Sequence, residues 1–242
     1  MSENLILLSS FDTIREKFNV PNIEAKEPIT KRLISWDDQA WVLKAGYNSL
    51  TRMKFGFTPE YAPKKLDMLN LRTDHFQHDE DETEYDRLHF FFNKSGYYRQ
   101  IINSRCVVFV DAFLVTSPDN TTYLIHMQNK ERPFGIAAIY DHWLNFNTGL
   151  YETGFTIITA AANPMLKRIG IEHMPVILTQ KNASFWLNEK EGRRKIIELI
   201  HTYPDENMNG YAVSGKIFSE NVTTDLLQPI GERINRDQQS SK

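Results

Sequence analysis

The sequence predicts a single α+β domain, and three observations carry that prediction. Four apolar, β-branched runs of strand length fall in the middle of the chain, at Cys106–Val110, Tyr123–Met127, Gly135–Tyr140 and Phe155–Thr159. Further on the apolar period changes: Ala183–Leu187 and Arg193–His201 repeat apolar residues at three- and four-residue spacing, which marks helices with one buried face. No Pro/Gly-rich linker, low-complexity stretch or internal repeat divides the 242 residues, a length that one β-rich domain accommodates.

The remaining elements follow in chain order. Ser10 or Asp12 can cap a short helix over Thr13–Phe18, because a small polar side chain accepts an unpaired N–H of the first turn, and Pro21 stops it. Asn22–Pro28 is turn-prone, and Trp41–Leu43 and Thr51–Phe57 read as strands, the second running into Thr58–Pro59. Between positions 79 and 86 six of eight residues are acidic, a self-repelling block expected in an exposed loop or at a helix start. After the central strands Asn163–Ile169 reads as a helical turn and Pro175–Leu178 as a short apolar segment. The polar stretch Gly231–Lys242 reads as a frayed tail, which leaves residues 1–230 as the domain.

Composition and missing motifs exclude several functions. With 28 basic against 31 acidic residues and a net charge of −3, no global positive field draws the chain to nucleic acid or anionic membrane, so a nucleic-acid site must be a local patch. The lone cysteine, Cys106, rules out an internal disulfide and any multi-cysteine metal motif, and its apolar run makes it a small core residue. Leu5–Leu8 is too short for a signal peptide and no stretch reaches the roughly 20 apolar residues of a membrane helix, so the expected location is cytoplasmic with no membrane partner. G-x-G-x-x-G, Walker A, G-x-S-x-G and H-E-x-x-H are all absent, and no cofactor is expected. His75, His78 and the acidic block offer donors to a metal, but in no metal-site spacing; a solvated loop is the favoured reading and no metal site is assigned.

More informative is an ordered series of segments: Lys54–Tyr61 (KFGFTPEY), Leu69–Asp74 (LNLRTD), Arg105–Phe113 (RCVVFVDAF), Thr156–Asn163 (TIITAAAN), Ile171–Leu178 (IEHMPVIL) and Tyr211–Ser214 (YAVS). In order and spacing, over about residues 5–230, this series resembles the SOS response-associated peptidase family, the abasic-site processing proteins. The resemblance implies a compact domain of bent, barrel-like, mostly antiparallel sheets with flanking helices, and a positively charged groove for single-stranded DNA. It also implies a chemistry. A cysteine exposed by removal of the initiator Met attacks the ring-opened sugar of an abasic site with its amine and thiol, giving an imine and then a thiazolidine crosslink. A glutamate, a histidine and an asparagine serve that step, and arginines hold the flanking phosphates.

Aligned on that resemblance, the cysteine position holds Ser2, the glutamate position Val115 and the histidine position Ile171, followed by Glu172 and His173. A hydroxyl cannot form a thiazolidine and is a far weaker nucleophile than a partly ionised thiol, and valine transfers no proton. His173, one loop step away, is the residue left to act as a general base, with a plain polar contact as the alternative. Asn70 and Arg72 survive on the matching segment; at alternating strand positions they face the same way, the guanidinium suited to a phosphate and the amide to sugar or base. The competing reading pairs Arg72 with Asp74 and makes Asn70 a turn cap. Tyr61 falls near the family's tryptophan, where a ring stacks on a base or packs in the core. Arg105 and Lys54 are expected either to add charge to the groove or to be ordinary surface residues.

Three functions remain open. The first is a noncovalent binder of single-stranded or abasic-site DNA that has lost the crosslinking and autopeptidase chemistry. The second is an abasic-site lyase whose Ser2 α-amine forms the imine unaided. The third is a fold turned to a protein or small ligand, for which Tyr97, Tyr98, Tyr140, Trp143 and Phe146 are the aromatic candidates.

Overall fold

The computed structural model describes residues 4–24, 31–73, 97–129, 132–218, 222–223, 225–231 and 233–234. The N-terminal part supplies β1 (Asn4–Ile6), α1 (Phe11–Phe18), β2 (Asn22–Ile23), β3 (Leu33–Ile34), β4 (Gln39–Lys44), β5 (Ser49–Phe55) and β6 (Asn70–Arg72). The middle supplies α2 (Tyr98–Asn103), β7 (Arg105–Val110), β8 (Ala112–Thr116), β9 (Thr122–Met127), β10 (Phe134–Asn145) and β11 (Leu150–Ala161). The last part supplies α3 (Pro164–Arg168), β12 (His173–Pro175), β13 (Ile177–Leu178), α4 (Gln180–Leu187), α5 (Arg193–Glu198) and β14 (Met208–Val213). No helix among the described residues is long and apolar enough to cross a membrane.

Five of these strands close into a barrel. β5 pairs with β4, β4 with β7, β7 with β10 and β10 with β11, all antiparallel, and β11 returns to β5 through a short parallel seam. The seam pairs Gly154 with Lys54 and Phe155 with Phe55, whose rings stack 5.0 Å apart at 10°. Closure requires glycine on both sides: a Cβ on Gly154 would sit 1.9 Å from the Gly56 carbonyl oxygen, and Gly56 has φ +144, outside the reach of ordinary side chains. Every residue of β7 is buried, because one face lines the barrel and the other is covered by α2 and α4. That double burial explains the unbroken apolar run there.

At Asp111 the chain leaves the barrel and β8 enters a second, antiparallel sheet in the order β14–β9–β8–β1–β3. Asp111 fastens this corner: its N–H donates to the Ile6 carbonyl (2.7 Å), and its carboxylate accepts from the N–H groups of Leu8 and Ser9 and from the Ser9 hydroxyl. Strand alternation then splits β8 between two cores. Phe113 and Val115 join the main core, whereas Leu114 packs with Ile6, Leu33, Leu124 and Val213 on the outer face.

The sheet-rich α+β fold with bent, barrel-like sheets and flanking helices is as the sequence predicts, with differences at the edges. α1 starts at Phe11 rather than Thr13, with the Ser10 hydroxyl as cap accepting from the Thr13 N–H (3.3 Å). β10 and β11 run well past their apolar cores as a long hairpin, pairing as far as Asn145 with Leu150. The polar tail does not fray at once: Arg233 bridges Tyr211, and the Ile234 N–H donates to the Gly210 carbonyl (2.8 Å). Residues 235–242 and the acidic block at 79–86 lie outside the described residues, as do His75 and His78.

Candidate nucleic-acid interface

Beyond its seam with β5, β11 offers its free edge to β6 in parallel: Asn70 lies beside Ile157, Leu71 beside Ile158 and Arg72 beside Thr159. Three bonds lock this short strand down. Thr73 donates its N–H (3.0 Å) and its hydroxyl (2.7 Å) to the Thr159 carbonyl, and the Thr159 hydroxyl donates to the Leu71 carbonyl (3.3 Å). Leu71 turns into the core, which puts Asn70, half-buried, and Arg72, exposed, on the opposite face as the two-residue period requires.

On the opposite edge of β11, beyond the stretch paired with β10, β12 places His173 opposite Ala161. The Arg72 guanidinium meets the His173 ring here, Nη2 to Nε2 2.6 Å. A guanidinium only donates, so Nε2 accepts and the proton of the neutral ring sits on Nδ1. His173 is buried, and in this geometry its Nε2 lone pair orients Arg72 instead of facing a substrate.

Tyr61 is 65% exposed on the loop joining β5 to β6. That loop is clamped: the Glu60 N–H donates to Asp141 (2.9 Å), the Trp143 indole N–H to the Ala62 carbonyl (2.8 Å), and the Leu66 and Asp67 N–H groups to the Thr58 hydroxyl (3.2 and 3.3 Å). Tyr97 lies beneath it, with its hydroxyl on the Met68 sulfur (3.1 Å); burial, and then the neighbouring Tyr61, raises its phenol pKa. Tyr61 is therefore a surface ring on a rigid support and not a core residue.

Lys54 is half-buried and pairs with Asp37, with Asp67 also 4.0 Å away. Lys65 bonds Glu152 on the hairpin (3.2 Å). The bond from Lys54 holds the Asp37 carboxyl below its ordinary range, and bonds from Asn145 and then Lys65 do the same for Glu152. Lys54, expected either as groove charge or as an ordinary surface residue, is thus engaged by acids.

Arg105 is neither a groove charge nor a surface residue. It is 2% exposed, and its guanidinium donates to the carbonyls of Ile101 (3.1 Å) and Ile102 (2.5 Å) at the end of α2, and of Trp186 (2.7 Å) and Asn188 (2.9 Å) at the end of α4. Helix C-termini leave carbonyls unpaired and carry partial negative charge, and one cation here serves two of them. Burial lowers its pKa from the ordinary value, opposed by Glu189 and Glu191.

The positions aligned with the family's acid and base groups are sealed. Val115 is 1% and Ile171 5% exposed, both in the main core, and Cys106 is fully buried with its thiol pKa pushed well up by desolvation. Ser2 lies outside the described residues; β1 begins at Asn4, opposite Leu114, with the Asn4 side-chain oxygen accepting from the Ser35 hydroxyl (2.6 Å). Among the described residues no three His, Cys, Asp or Glu side chains gather to hold a metal. Of the aromatic candidates, Trp143 is buried, Tyr97 and Tyr140 are half-buried, Phe146 is exposed, and the Tyr98 side chain is outside the description. The sequence reading missed the exposed Trp36, which stands 3.5 Å from an added Cβ at Gly56, and Tyr151 on the hairpin; no local signal separates such rings from core aromatics.

This geometry can be set beside known proteins. The fold is similar to that of a protein from Bacteroides thetaiotaomicron, with a TM-score of 0.76 at 18% identity over 94% of this chain and 99% of that one. A protein from Bordetella bronchiseptica gives a TM-score of 0.65 at 16% identity, covering 88% of this chain and all of its own. In sequence the chain is 25% identical over 239 residues to the abasic site processing protein YoqW of Bacillus subtilis (strain 168), covering 94% of this chain and 99% of YoqW. It is 24% identical over 229 residues to YobE, an abasic site processing protein of the same organism, covering 90% and 97%. The sequence profile of the SOS response associated peptidase (SRAP) family matches residues 4–220, and the chain belongs to that family.

Proposed function

We propose that this protein acts in the response to DNA damage by binding single-stranded or abasic-site DNA noncovalently, without the thiazolidine crosslinking and autopeptidase chemistry of its family. The observation that carries this reading is a contrast: Asn70 and Arg72 lie together on the face of β6 away from the core, while Val115 and Ile171 at the acid and base positions are apolar and buried. The names of the relatives YoqW and YobE support abasic-site DNA as the substrate class. In this reading Arg72, held by His173, takes a phosphate, Asn70 bonds sugar or base, and Tyr61 stacks on a neighbouring base.

The test is a fluorescence-anisotropy titration with single-stranded DNA carrying one abasic site, run beside a denaturing gel with and without borohydride. The expected result is binding that weakens as salt rises, with no adduct on the gel. A borohydride-trapped adduct lost on acetylation of the N-terminus would replace this reading with the Ser2-amine lyase. No binding at low salt would remove DNA from the proposal and leave a repurposed fold.

A further inference from the structure

The outer face of the second sheet carries a cavity of about 310 Å3, at the small end of the range for ligand clefts, in a different sheet from the β6–β11 edge. Strand alternation explains why it exists. Ile6 pairs with Ala112 across β1 and β8, and the next strand brings His126 alongside, one step from the Phe113–Ile125 pair. In the adjoining row Leu114, Leu124 and Tyr211 stand side by side. The methyl of Ala112 thus sits among larger neighbours and leaves a hollow.

The walls are ring-bearing and rigid. His126 and Tyr211 meet edge to face at 5.6 Å, His126 Nδ1 bonds the Met127 carbonyl (2.8 Å), and the Tyr211 hydroxyl donates to the Leu227 carbonyl (3.0 Å). Burial raises the Tyr211 pKa, so its phenol stays neutral. Two charged side chains complete the lining. The Asp111 carboxylate is fixed inside by Leu8 and Ser9, and the exposed Arg132 has no hydrogen-bond or ion-pair partner among the described residues.

We propose that this cavity is a binding site for a small aromatic monocarboxylate. The ring fills the hollow over Ala112 between His126, Tyr211 and Leu124, and the carboxylate takes the planar fork of Arg132. The negative charge of Asp111 opposes a second anionic charge, which selects a carboxylate over a phosphate dianion. The proposal is independent of DNA binding, because none of its residues belongs to β6, β11 or β12.

The test is calorimetric titration of the full chain with indole-3-acetate, the neutral alcohol tryptophol, and phenyl phosphate. Saturable binding of indole-3-acetate is expected, about tenfold weaker for each of the other two probes. Arg132→Gln, an exposed change, is expected to lower indole-3-acetate affinity about tenfold while leaving tryptophol unchanged. Ala112→Leu is expected to abolish binding of all three without lowering the melting temperature, since it fills existing space. Absence of saturable heat, affinity indifferent to Arg132→Gln, or displacement of indole-3-acetate by abasic-site DNA would each overturn the assignment. Should Ala112→Leu fail to fold, the Arg132→Gln comparison alone decides.

Discussion

The two halves of β11 offer their free edge to different neighbours, and the contrast separates what holds the fold from what is left for function. Around Gly154 and Phe155 the edge is sealed by β5, with backbone packed against backbone and two stacked phenyl rings. Around Ile157–Thr159 it takes only the short strand β6, while β12 pairs Thr159–Ala161 from the opposite edge, so that Arg72 and His173 meet across β11. Arginine marks the same division. Arg105 is consumed by four carbonyls at two buried helix ends, whereas Arg72 is exposed and bonds the His173 ring. A cation counted in the sequence becomes a surface charge only where no helix end claims it.

Arg105→Ala tests the sealed side and has the largest expected effect. It removes the donor from carbonyls at the ends of α2 and α4, and leaving buried acceptors unpaired costs about 1–3 kcal/mol each. Stability in urea is expected to fall by at least about 3 kcal/mol with unchanged slope. Arg105→Lys recovers only part, because an ammonium cannot reach four acceptors with a planar fork. A loss under about 1 kcal/mol would break the distinction between the two arginines.

Gly154→Ala comes next. The new methyl collides with the Gly56 carbonyl at the parallel seam, a contact between backbones that no rotamer change relieves. The expected cost is about 1–3 kcal/mol, the usual range for forcing a methyl into a filled site, read from the urea midpoint. A neutral result would mean that β5 and β11 part easily there, and that the barrel is not sealed at this point.

How much of this was legible in the sequence follows the same division. Strands buried on both faces, β7 above all, announce themselves as unbroken apolar runs, and the period-two placement of Asn70 and Arg72 on one face needed no structure. The hairpin arms beyond Tyr140 and before Phe155 did not, because they leave the barrel wall and carry polar and aromatic residues on both faces. β8 was hidden by its continuity with β7, from which only Asp111 parts it. The meeting of Arg72 with His173 spans 101 residues and has no local signature. Arg105 read as surface charge because its acceptors come from two helix ends, one of them 81 residues away.

Arg72→Gln probes the open side. The side chain is exposed, but its bond to the buried His173 ring is lost, so stability is expected to fall by about 1 kcal/mol. Affinity for abasic single-stranded DNA is expected to fall about tenfold, and the slope of log K against log salt to flatten by about 0.7, the value for one phosphate contact on a single strand. A protein that binds DNA with an unchanged slope after this substitution does not use Arg72 on a phosphate.

Tyr61→Ala has the smallest expected effect and separates stacking from charge. Its ring is exposed on a loop held by Asp141, Trp143 and Thr58, so removing it leaves the support in place. A stacked base contributes without exchanging counterions, so affinity is expected to fall about fivefold with the salt slope unchanged, the converse of Arg72→Gln. Tyr61→Phe keeps the ring face and is expected to bind as the parent does. If instead Phe loses as much as Ala, the hydroxyl is what matters; the contact is then a hydrogen bond shared with Tyr97, and the rigid loop positions a donor and not a stacking surface.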